Sequence, residues 1–493
     1  PFLLRTVILY YLGEEYLGLN SLFYSILQVL NLAELGFSSA VAFRIYRPLA
    51  EHDAAKVGAY VNYLRRMYRL IGLGILFAGF IVVPFLPSLI RSGWPSDINI
   101  YLLFCVYLIN SSISYLFAGY KSVLVIASQR MDYINTIEIL LYCLQYVLQF
   151  IVVLLFRSYY LYILIMPVIT VLINIVTSVT ADRRFPEYLN KGRLTRDEKK
   201  EVLRDIRGVA IYKVSDVTRN SFDSIVISAL LGLVPVAVYN NYFYIFNAIF
   251  SFMIIVNQSL QASIGNSIAA ETREKNGKDL YRLSFFSNWV NVFCTSSLLC
   301  LYQPFIRLWV GEGMMLPDRD MILFCVYFYI MNMNSVRNLY FDGNGLWLRG
   351  KYAFILESAG NLLLNIFLCR FFGITGILWA TILTVFFCGF VWRTKVLFRD
   401  YFLASARPFF IMHAKWAALC AVICALTFGV CSLTGDRGIG VLVLWMIICL
   451  ALPNLILYLL FRRSGQFTEG KAQLVSILQR ARKTAGQDKT GKE

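Results

Sequence analysis

Leu103-Phe104-Cys105-Val106-Tyr107 recurs letter for letter as Leu323-Phe324-Cys325-Val326-Tyr327, 220 positions further along the chain. At the same offset Asn20, Phe23 and Tyr24 meet Asn240, Phe243 and Tyr244, Ala50-Glu51 meets Ala270-Glu271, and Pro84-Phe85 meets Pro304-Phe305. No gap is needed between Asn20 and Tyr107. The chain around this repeat is 58% hydrophobic and 15% charged, where a soluble domain carries about 25% charged residues. A long repeat in so apolar a chain implies two membrane-embedded helix bundles with a substrate path between them.

Working outward, apolar stretches long enough to span a bilayer fall near 1–12, 20–43, 67–90, 98–120, 134–156, 159–180 and 208–232. Further ones fall near 236–262, 283–310, 320–346, 353–372, 375–397, 411–434 and 439–461. This predicts about fourteen helices by the hydropathy criterion. The repeat partner of the seventh span starts before residue 1, so the first span is expected to be truncated, with roughly one to two dozen residues missing ahead of Pro1.

The net charge of +17 does not point to nucleic acid, because Lys and Arg cluster at the ends of alternate apolar segments. Arg44, Arg47, Lys56, Arg65, Arg66 and Arg69 share one loop region, and a second basic run lies between Arg183 and Arg207. Arg273, Lys275, Lys278 and Arg282 mark the repeat-equivalent of the first, and the intervening loops are nearly bare. Basic loops stay cytoplasmic, which puts both termini on that side. An even number of spans between repeat partners makes the halves parallel, related by a pseudo-two-fold along the membrane normal. The expected organisation is an N-terminal six-helix lobe (1–180), a cytoplasmic linker (181–207), a C-terminal six-helix lobe (208–400), an added helix pair (401–463) and a basic tail (464–493). Within the tail, 473–482 reads as a short surface helix.

Ionisable groups inside spans are costly and are functional candidates. Asp216, Arg219 and Asp223 share one face of the seventh span, with Asn220 beside them. Polar stripes recur as Gln28, Asn31, Glu34 and Ser38, as Glu138, Tyr142, Gln145 and Gln149, and as Glu357, Asn361 and Asn365. A further stripe holds Asn334, Arg337 and Asn338, with Asp342 one turn on. Each stripe fits either a hydrated cavity or interhelical hydrogen bonding. Arg219 and Arg337 are the natural anion ligands, since guanidinium pairs bidentately with phosphate oxygens. Arg5 is a third such candidate, and Asn220 and Asn361 are polar ligands beside them. Asp216, Asp223, Glu34, Glu138, Glu357 and Asp342 are candidates for pairing with these arginines or for binding a coupling cation.

No catalytic motif is present: the sequence has no GxSxG, no P-loop and no HExxH. With two histidines, and eleven cysteines placed singly in apolar runs, no metal, cofactor or disulfide framework is expected. Buried cysteine acting as a small apolar residue is the preferred reading.

The stretch Leu12-Gly13-Glu14-Glu15-Tyr16-Leu17-Gly18-Leu19-Asn20, preceded by Arg5-Thr6, resembles bacterial polysaccharide flippases of the Wzx type. So do Leu32-Ala33-Glu34-Leu35-Gly36, Tyr46-Arg47-Pro48-Leu49-Ala50 and Asp223-Ser224-Ile225-Val226-Ile227-Ser228. Glu357-Ser358-Ala359-Gly360-Asn361 and Phe372-Gly373-Ile374-Thr375-Gly376 extend the likeness through the second half. These flippases belong to the multidrug/oligosaccharidyl-lipid/polysaccharide exporter superfamily. The resemblance implies an all-α polytopic membrane protein of two six-helix bundles plus a C-terminal helix pair, in the bacterial cytoplasmic membrane. It implies flipping of an undecaprenyl-pyrophosphate-linked oligosaccharide by alternating access, with H⁺ or Na⁺ as candidate coupling ion. Membrane lipids, a polysaccharide polymerase and glycosyltransferases are the implied partners. Arg219 and Arg337 match no diagnostic motif of that family, so their role rests on chemistry alone. The alternatives are a cation-coupled multidrug antiporter of the same superfamily and a peptidoglycan-precursor flippase. A membrane glycan polymerase or ligase would need a large outer loop, which the sequence lacks.

Overall fold

A computed structural model of the chain describes residues 2–34, 36–91, 93–188, 192–435 and 438–469. The side chains of 33, 205, 207–213, 215, 216, 220 and 262 fall outside that description, as does the surface helix expected over 473–482. Every regular element among the described residues is helical.

Local chemistry places the boundaries. Helices α1 (Phe2–Tyr11) and α2 (Glu14–Leu30) meet at Gly13, with Glu14 and Glu15 complementing the dipole of α2 in its first turn. The span expected over 20–43 is interrupted. A 3₁₀ turn covers Asn31–Glu34, and Gly36, at a φ of 86° open to glycine, leads into α3 (Phe37–Ala50). The Asp53 carboxylate accepts the Lys56 N–H at 2.9 Å to start α4 (Ala54–Val82). Asn99 does the same for Tyr101 and Leu102 at the head of α5 (Ile100–Leu116). The chain then bends by 47° into the segment that carries α6 (Ser122–Ala127). Helices α7 (Met131–Phe156) and α8 (Tyr159–Arg184) pack as an antiparallel pair. A reciprocal Thr195–Glu198 capping box opens α9 (Arg196–Leu231), so α9 begins well inside the expected linker.

The second half repeats the plan. Helix α10 (Leu233–Ala270) stands at the position of α2, and α11 (Arg273–Val310), capped by Thr272, at that of α4. The partner of α5 is α12 (Asp318–Met333), which breaks at Asn334 into α13 (Ser335–Gly343), again dividing an expected span. Helices α14 (Lys351–Phe372) and α15 (Ile374–Thr384) follow. Two π-helical segments, Val385–Trp392 and Phe398–Phe402, flank α16 (Arg393–Leu397). The described chain closes with α17 (Arg407–Ser432) and α18 (Ile439–Phe461).

Among the described residues nine helices are long and apolar enough to cross a membrane, or ten if the bent α5–α6 pair counts as one span. The expected spans outside that set are the ten-residue α1, the interrupted α2–α3 and α12–α13, and the polar α9. The chain is an all-α polytopic membrane protein. The most apolar window of α18 is only 17% buried inside the protein, against 56% for Ile374–Phe402. Leucine, isoleucine and phenylalanine on the open faces therefore meet lipid.

Contacts divide the chain into two compact units, one of Pro1–Asn241 with Trp347–Thr384, the other of Tyr242–Leu346 with Val385–Glu493. The repeated pentapeptide anchors both. Phe104 packs edge-on against Phe23 in the first, at 5.3 Å between ring centroids. Phe324 stacks on Tyr242 in the second, at 5.7 Å. Since lipid supplies little hydrophobic drive between helices, close backbone approach matters. Gly18 of α2 lies against the Leu233 backbone, where a Cβ would strike the carbonyl.

Candidate functional site

The first unit gathers a buried polar network from two stripes that the sequence displays separately. Arg219 and Asp223 are one turn apart on α9, and Glu357, Asn361 and Asn365 are successive turns of α14. The Arg219 guanidinium donates from Nη1 to Glu357 Oε1 at 2.7 Å, with both residues buried. Further along both helices, Asn365 Nδ2 donates to Asp223 Oδ1 at 2.7 Å. The two contacts rise together in residue number, so α9 and α14 run parallel. Tyr239, near the start of α10, donates its hydroxyl to the other Asp223 oxygen at 2.7 Å.

Helix α15 closes the network. Asn361 Nδ2 donates to Thr381 Oγ1 at 3.0 Å, and its Oδ1 accepts from Asn365 at 3.1 Å. Helix α2 joins through Gln28, which accepts the Ser221 hydroxyl at 3.0 Å. Arg5 of α1 donates to Asn241 Oδ1 at 2.6 Å and to the Ala237 carbonyl at 3.3 Å, gripping the first turns of α10 near Tyr239.

Charge makes this more than helix packing. A buried ion pair is tolerated only when its desolvation is offset by close geometry and further hydrogen bonds. Within this set the Arg219 guanidinium pairs with the Glu357 carboxylate, and the Asp223 carboxylate is held by the neutral donors Tyr239 and Asn365.

The other expected residues lie elsewhere. Asp216 and Asn220 fall outside the described side chains. Half-buried Glu34, at the break after α2, accepts from the Ser38 N–H at 3.4 Å and the Tyr68 hydroxyl at 3.3 Å. Glu138 is half-buried on α7. Arg337 and Asp342 belong to α13 in the second unit. Arg337 is fully buried, donates to Asn334 and to the Gly389 carbonyl (2.9 Å), and so ties the α12–α13 break to a π-helical turn. Sequence reasoning missed Tyr239, Thr381 and also Thr384, whose Oγ1 accepts from Asn361 Nδ2 at 3.5 Å, as members of the network. It saw Asn365 only as part of a stripe, and no local pattern distinguishes the other three from ordinary span residues.

No protein-family model matches the sequence, and no curated protein does so significantly. Solved structures do match in fold. An inward-facing multidrug resistance MATE family transporter of the MOP superfamily aligns with a TM-score of 0.63 at 15% identity, covering 80% of this chain and 94% of its own. The chain shares this transporter's fold. The lipid II flippase MurJ, in an inward closed conformation, aligns with a TM-score of 0.63 at 14% identity, covering 94% of this chain and 96% of its own. The MATE multidrug transporter DinF-BH, solved with a bound ligand, aligns at 0.58 and 17% identity, covering 82% of this chain and 92% of its own.

Proposed function

We propose that the protein moves an undecaprenyl-pyrophosphate-linked oligosaccharide from the inner to the outer leaflet of the bacterial cytoplasmic membrane by alternating access. Its product would feed the assembly of a cell-surface polysaccharide. The observation that carries this reading is the extent of the fold likeness. The lipid II flippase structure accounts for 94% of the chain, while the two drug transporters account for 80% and 82%. A lipid-linked glycan keeps its polyprenyl tail in lipid throughout, so the barrier to flipping is the charged head group.

In this proposal Arg219 exchanges Glu357 for the pyrophosphate. The released carboxylate, with Asp223, then takes the H⁺ or Na⁺ that couples transport. Arg5 serves the same head group after exchanging Asn241 and the Ala237 carbonyl, and Arg337 is a proposed anion ligand within the second unit. The residue ranges 1–180 and 208–400 are the proposed lobes, joined through 181–207.

The test is sidedness of a labelled undecaprenyl-pyrophosphate oligosaccharide in proteoliposomes, with H⁺ and Na⁺ gradients imposed in turn. Protein-dependent appearance at the opposite leaflet is expected, abolished in Arg219→Ala and uncoupled from the gradient in Asp223→Asn. Wild-type rates in Arg219→Ala would remove the head-group role. A second reading, cation-coupled export of organic cations, is favoured by the two buried carboxylates and by the likeness to a multidrug transporter solved with its ligand. Gradient-driven efflux of a cationic dye without glycan flipping would establish it instead.

A further inference from the structure

Three cysteines far apart in the sequence converge in the second unit. Cys300 of α11, Cys431 of α17 and Cys449 of α18 are all buried, and their Sγ atoms lie within 4.8 Å of one another. Each comes from a different helix, and the three helices pack against one another pairwise. Trp445, Leu301, Val441 and Ile448 surround the thiols with apolar surface. Cysteine often packs as a small apolar residue, but that role does not require three sulfurs to meet at one point.

We propose that Cys300, Cys431 and Cys449 form a three-sulfur site for a soft monovalent d¹⁰ cation of the Cu(I) class. Soft sulfur ligands select such ions. A metal–sulfur bond of about 2.3 Å places three trigonal sulfurs about 4 Å apart, within the observed spread. Zinc in a structural site takes four ligands, whereas this group offers three among the described residues. The apolar surroundings favour a neutral product. One cation enters, one thiol loses its proton to solvent, and the resulting thiolate and two thiols coordinate the ion with no change of oxidation state.

The site borders an exposed turn. Cys431 is the penultimate residue of α17 and adjoins an exposed turn at 433–435. Thr434 folds back, its N–H and hydroxyl donating to the Cys431 carbonyl at 3.0 and 2.8 Å. The same hydroxyl accepts Trp445 Nε1–H at 2.8 Å. Trp445 stands one turn before Cys449 on α18, so the indole packs in the same buried cluster as the thiols and is clasped to the turn. A bound ion would tie α17 and α18 to α11.

The experiment uses the full chain in detergent under reductant, titrated with Ag(I) as a redox-inert probe and with Cu(I) held by a competing chelator. One ion is expected to bind with quenching of indole emission that disappears in Trp445→Phe. X-ray absorption of the copper-loaded protein should give a shell of three sulfurs. Cys431→Ser and Cys449→Ser should each weaken binding by at least about 100-fold, on the scale set by loss of metal-site partners. Cys420→Ser, outside the cluster, should leave it intact. Unchanged affinity in both cluster variants would overturn the proposal. So would a two-thiol deficit on thiol counting of the wild type, mapped by mass spectrometry to a disulfide within the trio. Should one cluster variant fail to fold, the other and the wild-type absorption spectrum still decide.

Discussion

Replacing Glu357 by leucine removes the carboxylate that accepts from the Arg219 guanidinium at 2.7 Å, in a site where the pair exposes 8% and 1% of its side chains. Removing one partner of such a buried pair costs about 3–5 kcal/mol, because the remaining charge loses its closest compensation. That is roughly two to four decades in the unfolding equilibrium. A neutral hydrogen bond between membrane helices, such as Asn361 to Thr381, is worth about 0.6 kcal/mol on average and about 1.7 at most. The ion pair should therefore stand clear of every other contact in the network. The assay is reversible unfolding in mixed micelles titrated with SDS, followed by helical ellipticity, on Glu357→Leu, Arg219→Met and the double variant. Each single change is expected to lose about 3 kcal/mol or more, with the double losing clearly less than the sum because the Arg219–Glu357 pair is removed whole. Single losses under about 1 kcal/mol, or a double variant that loses the sum, would refute the claim that the two charges compensate each other.

Other perturbations probe separate links. Gly18→Leu should destabilise the first unit by about 1–3 kcal/mol, the cost of overpacking, because a Cβ there strikes the Leu233 carbonyl; equal stability in the same SDS titration would remove that contact from the argument. Thr195→Ala should cost about 1 kcal/mol of local stability in the first turns of α9, the usual loss of a helix cap, seen as faster amide exchange confined to that end. The Glu198 carboxyl is held below its ordinary range by the Thr195 backbone N–H, then the Thr195 hydroxyl and Lys56. Its stabilisation is complete above the unfolded value of about 4.3 and is lost as pH falls through the depressed folded value. Exchange protection at the start of α9, corrected for intrinsic rates, should decline only in that acidic window. A reporter fused after Ser464 should fluoresce as a cytoplasmic GFP and stay inactive as alkaline phosphatase; the opposite pattern would reverse the orientation read from the basic loops.

Much of the architecture was legible in the sequence because its signals are local. Twenty apolar residues span a bilayer wherever they occur, basic loops alternate with bare ones, and the repeated pentapeptide marks α5 and α12. The stripes on α9 and α14 were legible for the same reason, since a helix returns each side chain to one face about every 3.6 residues. The interruptions at Asn31–Glu34 and Asn334 were missed, because hydropathy averages over a window and carries polar residues through a break. The partners of each stripe were decided elsewhere. Arg219 meets Glu357 and Asp223 meets Asn365 across 138 and 142 residues of chain. Cys300, Cys431 and Cys449 meet only because three helices cross at one depth. Sequence periodicity gives a helix its faces, while the rotation and depth that choose which faces touch come from packing between distant segments, and only the tertiary structure holds that information.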